Sequence, residues 1–320
     1  MNKLKGKKVI LIGGSGFIGS HLAKRLAELD ADITIFCKNP GRIKKLPFQN
    51  ANKIKAIRGD VANYDSVKDS IKNQDVIINL AAIVQDNAGF EPYADIETNC
   101  KGQINILEAR KRFNPKSIYI FLGSRAQFGK VEEKDLPVSE EHCQAPISLY
   151  GIHKQTAENY CKLYKRAFNL KSIIIRLPQV YGTSLTKEET DRIIDKIVKK
   201  AVKNEEFLVN GYGRDIKDLI YIDDLTDLLI KILNSDIEDG IFNAGSGEKI
   251  KLIDIAKKVI ALSNSGSFRI VRFPESIAKF ELGSLYFDIS KVKRAFKWEP
   301  KTTIDIGLKK MINFYKLKTK

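Results

Sequence analysis

Apolar residues come in short unbroken blocks separated by longer polar stretches. Val9-Ile10-Leu11-Ile12 is the first block, and four consecutive apolar residues predict a strand buried on both faces. Further strands are predicted over residues 32–37, 54–61, 75–82 and 117–122. Between them the period becomes helical. Leu22, Leu26 and Leu29 share one helix face with Ala23 and Ala27 beside them, and helices are also predicted over residues 65–73, 93–113 and 150–168. Strands alternating with helices predict an α/β fold with right-handed crossovers, a doubly wound parallel sheet.

The first strand runs straight into Gly13-Gly14-Ser15-Gly16-Phe17-Ile18-Gly19. Glycines at this spacing allow a tight turn and a close approach of backbone to a pyrophosphate. The helix that follows presents unpaired N–H groups to the phosphates. A glycine trio alone is a weak signal; set between an apolar strand and an amphipathic helix it predicts a dinucleotide site. Ligands of doubly wound sheets lie outside the carboxyl ends of the strands, where the Gly13 turn, Ala81-Ala82 and Ser124 all fall. Beyond a polar loop with Pro137 and Pro146, Tyr150 and Lys154 stand at i and i+4 and so project from one helix face. An ammonium beside a phenol favours the phenolate, and Ser124 is placed to hold a substrate oxygen while Tyr150 moves the proton.

Composition narrows the picture. The chain has 320 residues, 43% hydrophobic and 29% charged, enough for one large core or for a sheet domain with a smaller appendage. The net charge of +16 comes from lysines spread over the helices and the ends of the chain, not from a basic block interleaved with aromatics. That pattern describes a solvated surface, with a contribution from a site for an anionic ligand, and argues against a nucleic-acid partner. Cys37, Cys100, Cys143 and Cys161 show no paired spacing, so neither a disulfide framework nor a metal site is predicted and all four are expected to be buried free thiols. No apolar run is long enough to cross a bilayer, and the lysine-rich start leads directly into the first strand. The expectation is a cytoplasmic protein with no membrane partner.

A wider set of motifs carries a family resemblance. To the glycine turn, Ser124 and Tyr150-x-x-x-Lys154 are added Asp60-Val61, Asn79-Leu80-Ala81-Ala82 and Asn99-x-x-Gly102-x-x-Asn105. Further on come Arg176-Leu177-Pro178-Gln179-Val180-Tyr181-Gly182, Lys217-Asp218-Leu219-Ile220-Tyr221-Ile222-Asp223-Asp224, Phe242-Asn243-Ala244-Gly245-Ser246-Gly247 and Trp298-Glu299-Pro300. In this order, over nearly the whole chain, they resemble the extended short-chain dehydrogenase/reductases of the nucleotide-sugar epimerase and dehydratase type.

The resemblance implies a Rossmann-type dinucleotide-binding domain over residues 1–178, joined by about 215–245. It implies a smaller C-terminal α/β substrate-binding domain made mainly from residues 179–214 and 246–320. It implies that Tyr150 is the acid/base, Ser124 its substrate-orienting partner, and Lys154 the residue that binds the nicotinamide ribose and tunes Tyr150. Gly13, Gly16, Phe17, Ile18, Gly19, Lys38, Asp60, Val61, Leu80, Ala81, Ala82, Asn99 and Leu177 are the implied cofactor contacts, with Asp60 on the adenine. Arg125, Gln179 and Lys217 are candidates for the substrate.

Departures from the family pattern restrict the chemistry. The family's dehydratases follow a threonine with an Asp-Glu pair, whereas Ser124 is followed by Arg125-Ala126-Gln127, so 4,6-dehydration is disfavoured. Ala126 stands where reductive epimerases of the GDP-fucose type carry a cysteine. Gln179 replaces a usual asparagine, Lys217 a usual arginine and Phe128 a usual tyrosine. The expected reaction is hydride transfer at C4 of a nucleoside diphosphate sugar. Epimerisation is favoured, and a 4-dehydrogenase or 4-ketoreductase is the alternative; a non-catalytic NAD(P)-sensing or RNA-binding relative is the rival of another class.

Two further expectations follow. The second strand ends at Cys37-Lys38-Asn39, where NAD enzymes usually carry a carboxylate for the adenine ribose; Lys38 or Arg42 would suit a 2′-phosphate, and the balance falls narrowly on NADP(H) over NAD(H). The helices over residues 93–113 and 150–168 are expected to pair across a homodimer through Ile104, Leu107, Leu163 and Tyr164.

Overall fold

The computed structural model describes residues 2–84, 91–185 and 192–319. Two compact units divide the chain. Met1–Gly129, Cys143–Arg176 and Thr226–Phe242 form the first, and Lys130–His142, Leu177–Leu225 and Asn243–Lys320 the second. Residues 130–142 and 215–225 thus lie with the second unit, not with the first as the expected boundaries had them. Hydrogen bonds show why. The Val138 N–H donates to the Tyr286 carbonyl (2.9 Å), the Asn243 amide donates to the Val138 carbonyl (3.0 Å), and the Gln179 N–H donates to the Asp218 carbonyl (3.2 Å). The expected range 179–214 includes residues 186–191, which lie outside the described residues.

The first unit opens with β1 (Lys8–Ile12), α1 (Phe17–Ala27), β2 (Asp32–Cys37), β3 (Lys55–Arg58), α2 (Tyr64–Ile71) and β4 (Val76–Asn79). It continues with α3 (Pro92–Ile96), α4 (Gly102–Phe113), β5 (Ile118–Ser124), α5 (Leu149–Phe168) and β6 (Ile173–Leu177). With Gly240–Asn243 these strands make a seven-stranded sheet, ordered Gly240–Asn243, β6, β5, β4, β1, β2, β3. β1 pairs in parallel with both β2 and β4, and the outer pairs β2–β3 and β4–β5 are parallel too. The strand order reverses between β1 and β4, and such a reversal opens a crevice at the carboxyl ends. Val9, Ile10, Leu11 and Ile12 are fully buried, as a strand covered on both faces requires. β3 is the exposed edge and is shorter than residues 54–61, because the chain turns away at Gly59, whose N–H donates to the Cys37 carbonyl at 3.0 Å.

The helix predicted over residues 93–113 is instead α3, a π-helical turn over Glu97–Lys101, and α4. The wider turn brings Gly102 against Val61, where an added Cβ would lie 2.7 Å from Val61 Cγ2. Single π turns of this kind often mark functional sites. One core cluster unites Ile10, Ile12, Phe36, Ile77, Ile106, Leu107, Tyr119, Phe121, Ala157 and Tyr164. Leu107 and Tyr164 therefore pack inside the unit, which corrects their expected exposure; packing them inward removes more apolar area from water than a surface position would. Cys37, Cys100 and Cys161 are buried free thiols, but Cys143 is exposed in the loop before α5.

The second unit is built from three two-stranded sheets and helices. Gln179–Tyr181 pairs in parallel with Leu219–Tyr221, Glu206–Asn210 in parallel with Ser267–Val271, and Ile216–Lys217 antiparallel with Ile250–Lys251. Helices Ile193–Val202, Leu252–Ser263 and Ile304–Thr319 enclose its core, with Trp298 buried. The Tyr315 hydroxyl donates to the buried Asp195 carboxylate at 2.6 Å. Among the described residues no helix is long and apolar enough to cross a membrane.

Candidate active site

The glycine turn is built as its sequence requires. Gly13 has φ +79°, its N–H donates to the Phe36 carbonyl (2.8 Å), and a Cβ there would meet the Ala81 backbone at 2.7 Å. Only glycine lets the β1 turn approach the end of β4 so closely. A Cβ on Gly19 would lie 2.5 Å from Gly14, so α1 packs directly on the turn that opens it. The first turn of α1 holds no acidic residue, and the helix dipole makes this end positive. These features fit a dinucleotide pyrophosphate.

Around this turn the loops are clamped by side chains. The Ala81 N–H donates to Asn79 Oδ1 (3.1 Å). Asn99 accepts from the Ile83 N–H (3.2 Å) and donates to the Ile83 carbonyl (3.0 Å) and to Asp95. Asn105 donates to the Val61 carbonyl at 2.8 Å. The Asn99-x-x-Gly102-x-x-Asn105 motif thus holds the loops after β4 and β3. Leu80, Ala81, Ala82 and Val61 sit on those clamped loops. At the end of β2, buried Cys37 precedes Lys38, whose ammonium pairs with Asp60 at 2.9 Å. Burial pushes the Asp60 carboxyl up, but the Ala62 N–H at 3.0 Å, Lys38 and Lys101 outweigh it and hold the group below its ordinary range.

At the end of β5 the Ser124 hydroxyl oxygen accepts the Ala126 N–H (3.2 Å), which leaves the hydroxyl's own proton to be donated elsewhere. Ser148 caps α5 by accepting the Gly151 N–H at 3.1 Å. The half-buried Tyr150 lies in the first turn of that helix, and the buried Lys154 follows one turn later. A Cβ on Gly151 would lie 2.3 Å from the Ala126 carbonyl oxygen, so the first turn of α5 is seated on the turn that follows Ser124. Ser124, Tyr150 and Lys154 are brought to one place by that contact. Lys154 donates to the Leu122 carbonyl (2.7 Å) and stands over the Phe121 ring. Its burial lowers the ammonium pKa to about 8, against the opposing pull of Asp95 and Cys161. Arg125 lies between Ser124 and Ala126 in the same turn.

Leu177, Gln179 and Lys217 belong to the second unit and are placed there by themselves. Leu177 is buried at the end of β6 and Gln179 opens the next strand. Lys217 pairs with Glu281 at 2.9 Å, and Asp215 lies at 3.8 Å. Its neighbour Asp218 accepts the N–H groups of Ser246 (3.2 Å) and Phe287 (3.1 Å), while Asp224 accepts those of Lys301 (3.1 Å) and Thr302 (2.9 Å).

Motif reading passed over one buried network beside Ser124. Gln127 accepts the Ser124 N–H (2.7 Å) and donates to Glu158 (2.8 Å), and Glu158 pairs with Arg176 at 2.7 Å. The Ser-x-x-Gln spacing of a capping box was its only local sign. The buried pair His153–Asp95 (2.8 Å), next to Lys154, has no local sign at all.

The sequence and the fold have relatives among known proteins. Residues 9–245 match the model of the "NAD dependent epimerase/dehydratase family". A putative UDP-glucose 4-epimerase of Methanocaldococcus jannaschii is 29% identical over 317 residues, covering 96% of this chain and 98% of that protein. A UDP-N-acetyl-alpha-D-glucosaminuronate decarboxylase of Bacillus cytotoxicus is 26% identical, covering 97% of this chain and 98% of the relative. The fold matches the crystal structure of UDP-glucuronic acid 4-epimerase from Bacillus cereus, in complex with UDP-glucuronic acid and NAD. There the TM-score is 0.84 and the identity 24%, over 97% of this chain and 99% of that one. The match begins at β1 and ends just beyond the last strand of the seven-stranded sheet, so it takes in the glycine turn, Ser124, Tyr150 and Lys154 alike: the chain belongs to the NAD dependent epimerase/dehydratase family.

Proposed function

We propose that this protein transfers hydride reversibly between NAD(P) and C4 of a nucleoside diphosphate sugar and inverts that carbon. The observation that carries the reading is the seating of the α5 first turn on the Ser124 turn, which gathers Ser124, Tyr150 and Lys154 in the unit that holds the glycine cradle. The nicotinamide supplies the hydride acceptor when bound. Tyr150 removes the C4 hydroxyl proton. Ser124, with one oxygen lone pair engaged by the Ala126 N–H, donates its own proton to the same substrate oxygen. Lys154 holds the nicotinamide ribose, and its charge favours the Tyr150 phenolate. Turning the keto sugar before its reduction yields the epimer; release or uptake of that sugar gives a 4-dehydrogenase or a 4-ketoreductase. The absence of an acidic pair after Ser124 supports these over dehydration.

Asp60, Val61, Leu80, Ala81 and Ala82 line the cofactor in this reading, and Arg125, Gln179 and Lys217 are the candidates for contact with the nucleotide sugar. NADP(H) is favoured over NAD(H). The end of β2 carries no carboxylate to repel a 2′-phosphate, and the Lys38–Asp60 pair is exposed enough to contribute only about 0–1 kcal/mol. A phosphate dianion can therefore draw Lys38 off at little cost. Tyr93, Ile96, Ile152 and Leu163 support a homodimer.

The test is turnover of a panel of UDP- and dTDP-hexoses, glucuronic acid included, by the wild type and Tyr150→Phe. The wild type is expected to interconvert C4 epimers, and the variant to lose on the order of a hundredfold or more while still binding cofactor. Wild-type turnover by Tyr150→Phe would refute its acid/base role; no turnover of any member would refute the nucleotide-sugar reading.

A further inference from the structure

Gln127 is fully buried and bridges two elements that carry the candidate chemistry. Its Oε1 accepts the Ser124 N–H at 2.7 Å and its Nε2 donates to Glu158 Oε2 at 2.8 Å. The amide cannot be turned round: a carboxylate only accepts, so the NH2 must face Glu158 and the oxygen must face Ser124. Glu158 lies one turn beyond Lys154 on α5 and is itself immobilised. Arg176 donates to both its oxygens (3.0 and 2.7 Å), and Lys162 (2.7 Å) and Gln144 (3.1 Å) donate to Oε1. Gly123 leaves room for this bridge, since a Cβ there would lie 2.6 Å from Gln127 Oε1.

We infer that Gln127, anchored by Glu158, is a positioning residue that fixes the end of β5 to α5 and so sets the distance from Ser124 to Tyr150. The inference rests on the hydride-transfer reading of the site. Gln127 touches neither reactant; it acts through the Ser124 backbone. The hydroxyl of Ser124 must reach the same oxygen that Tyr150 deprotonates, so a small drift of the strand end is felt in the chemical step and hardly in ground-state binding. A misplacement of about 1 Å costs up to about a hundredfold in rate.

Gln127→Met keeps the bulk and removes both hydrogen bonds. On whichever member of the nucleotide-sugar panel the wild type converts, kcat is expected to fall at least about tenfold, with KM and cofactor Kd within about twofold. Hydrogen exchange at the Ser124 amide is expected to quicken in the same variant. Gly123→Ala, which crowds the amide without removing it, is expected to reproduce the kcat loss. Tyr150→Phe is assayed beside them. An inactive Tyr150→Phe with a fully active Gln127→Met, its Ser124 amide exchanging faster, would overturn the positioning role. So would losses in kcat that merely track a lowered Tm while exchange at Ser124 stays unchanged. Full activity in Tyr150→Phe, or no wild-type turnover of the panel, would overturn the underlying reading and this inference with it.

Discussion

Lys154 is a buried cation that donates to the Leu122 carbonyl, and its environment has a measurable signature. Burial lowers its pKa from the ordinary 10.5 to about 8, so between those values the unfolded chain binds a proton that the folded chain does not. Folding stability contributed by this group therefore rises with pH across that window and is at its poorest below it. In cofactor-free protein, Lys154→Met is expected to melt above the wild type near pH 7, with the gap closing as pH approaches 10. A gap that stays constant with pH would refute the shifted lysine. Lys38 offers a second test at this scale: titration of stripped protein is expected to show tighter NADP(H) than NAD(H) binding, with the preference lost in Lys38→Ala. Tighter NAD(H) binding, unmoved by that substitution, would show that the missing carboxylate after β2 does not set the choice. Tyr150, Lys154 and the glycines were legible because their spacing is local. Gln127 was not, since the partner that gives it meaning lies 31 residues away along the chain.

Elements were read well where one physical rule acts and poorly where two compete. β1 and β5 hold continuous apolar runs, β2 one broken at Thr34, and all three fell where expected. The stretch from residue 93 to 113 kept its helical period, but the close packing of Gly102 on Val61 inserts a π turn that no period reveals. The same limit hid the role of Asn99, which clamps the loop after β4 through Ile83. α5 is held to β5 and β6 by a charge network with its own test. Burial raises the Glu158 carboxyl, but hydrogen bonds and charge from Arg176, together with Lys162 and Gln127, carry it down to about 2 from the ordinary 4.5. Its stabilising contribution is thus complete above about pH 4.5 and disappears as pH falls towards about 2. Glu158→Gln leaves Arg176 buried without its counter-charge and is expected to cost roughly 3–5 kcal/mol at pH 7 by denaturant unfolding. The difference from wild type should shrink below pH 4.5. A difference that persists unchanged to pH 2 would show that the pair is not the source.

For the whole molecule, the borders of the two units follow pairing between residues far apart in the chain. Segments 130–142 and 215–225 join the second unit through hydrogen bonds to residues far along the chain, which no local composition marks. Assembly is the other property of this scale. Tyr93 and Ile96 on α3 and Ile152 and Leu163 on α5 remain exposed in the single chain, and the last two lie about three helical turns apart on one face. These residues, rather than the buried Leu107 and Tyr164, are the ones a homodimer is expected to cover. Sedimentation at micromolar concentration should give a dimer, and Ile152→Glu with Leu163→Glu a monomer. A wild type that is monomeric throughout would contradict the assembly.

The account stands on direct hydride transfer at C4, and isotope at that carbon reports it most directly. UDP-glucose and UDP-glucuronic acid carrying deuterium at C4 are incubated with the NAD(P)-loaded protein in ordinary water and followed by NMR. The account expects the C4 epimer to appear with its deuterium retained, because the hydride leaves and returns without meeting solvent. Loss of the label to water, exchange at C3 or C5 instead, or no change at C4 in either sugar would contradict it.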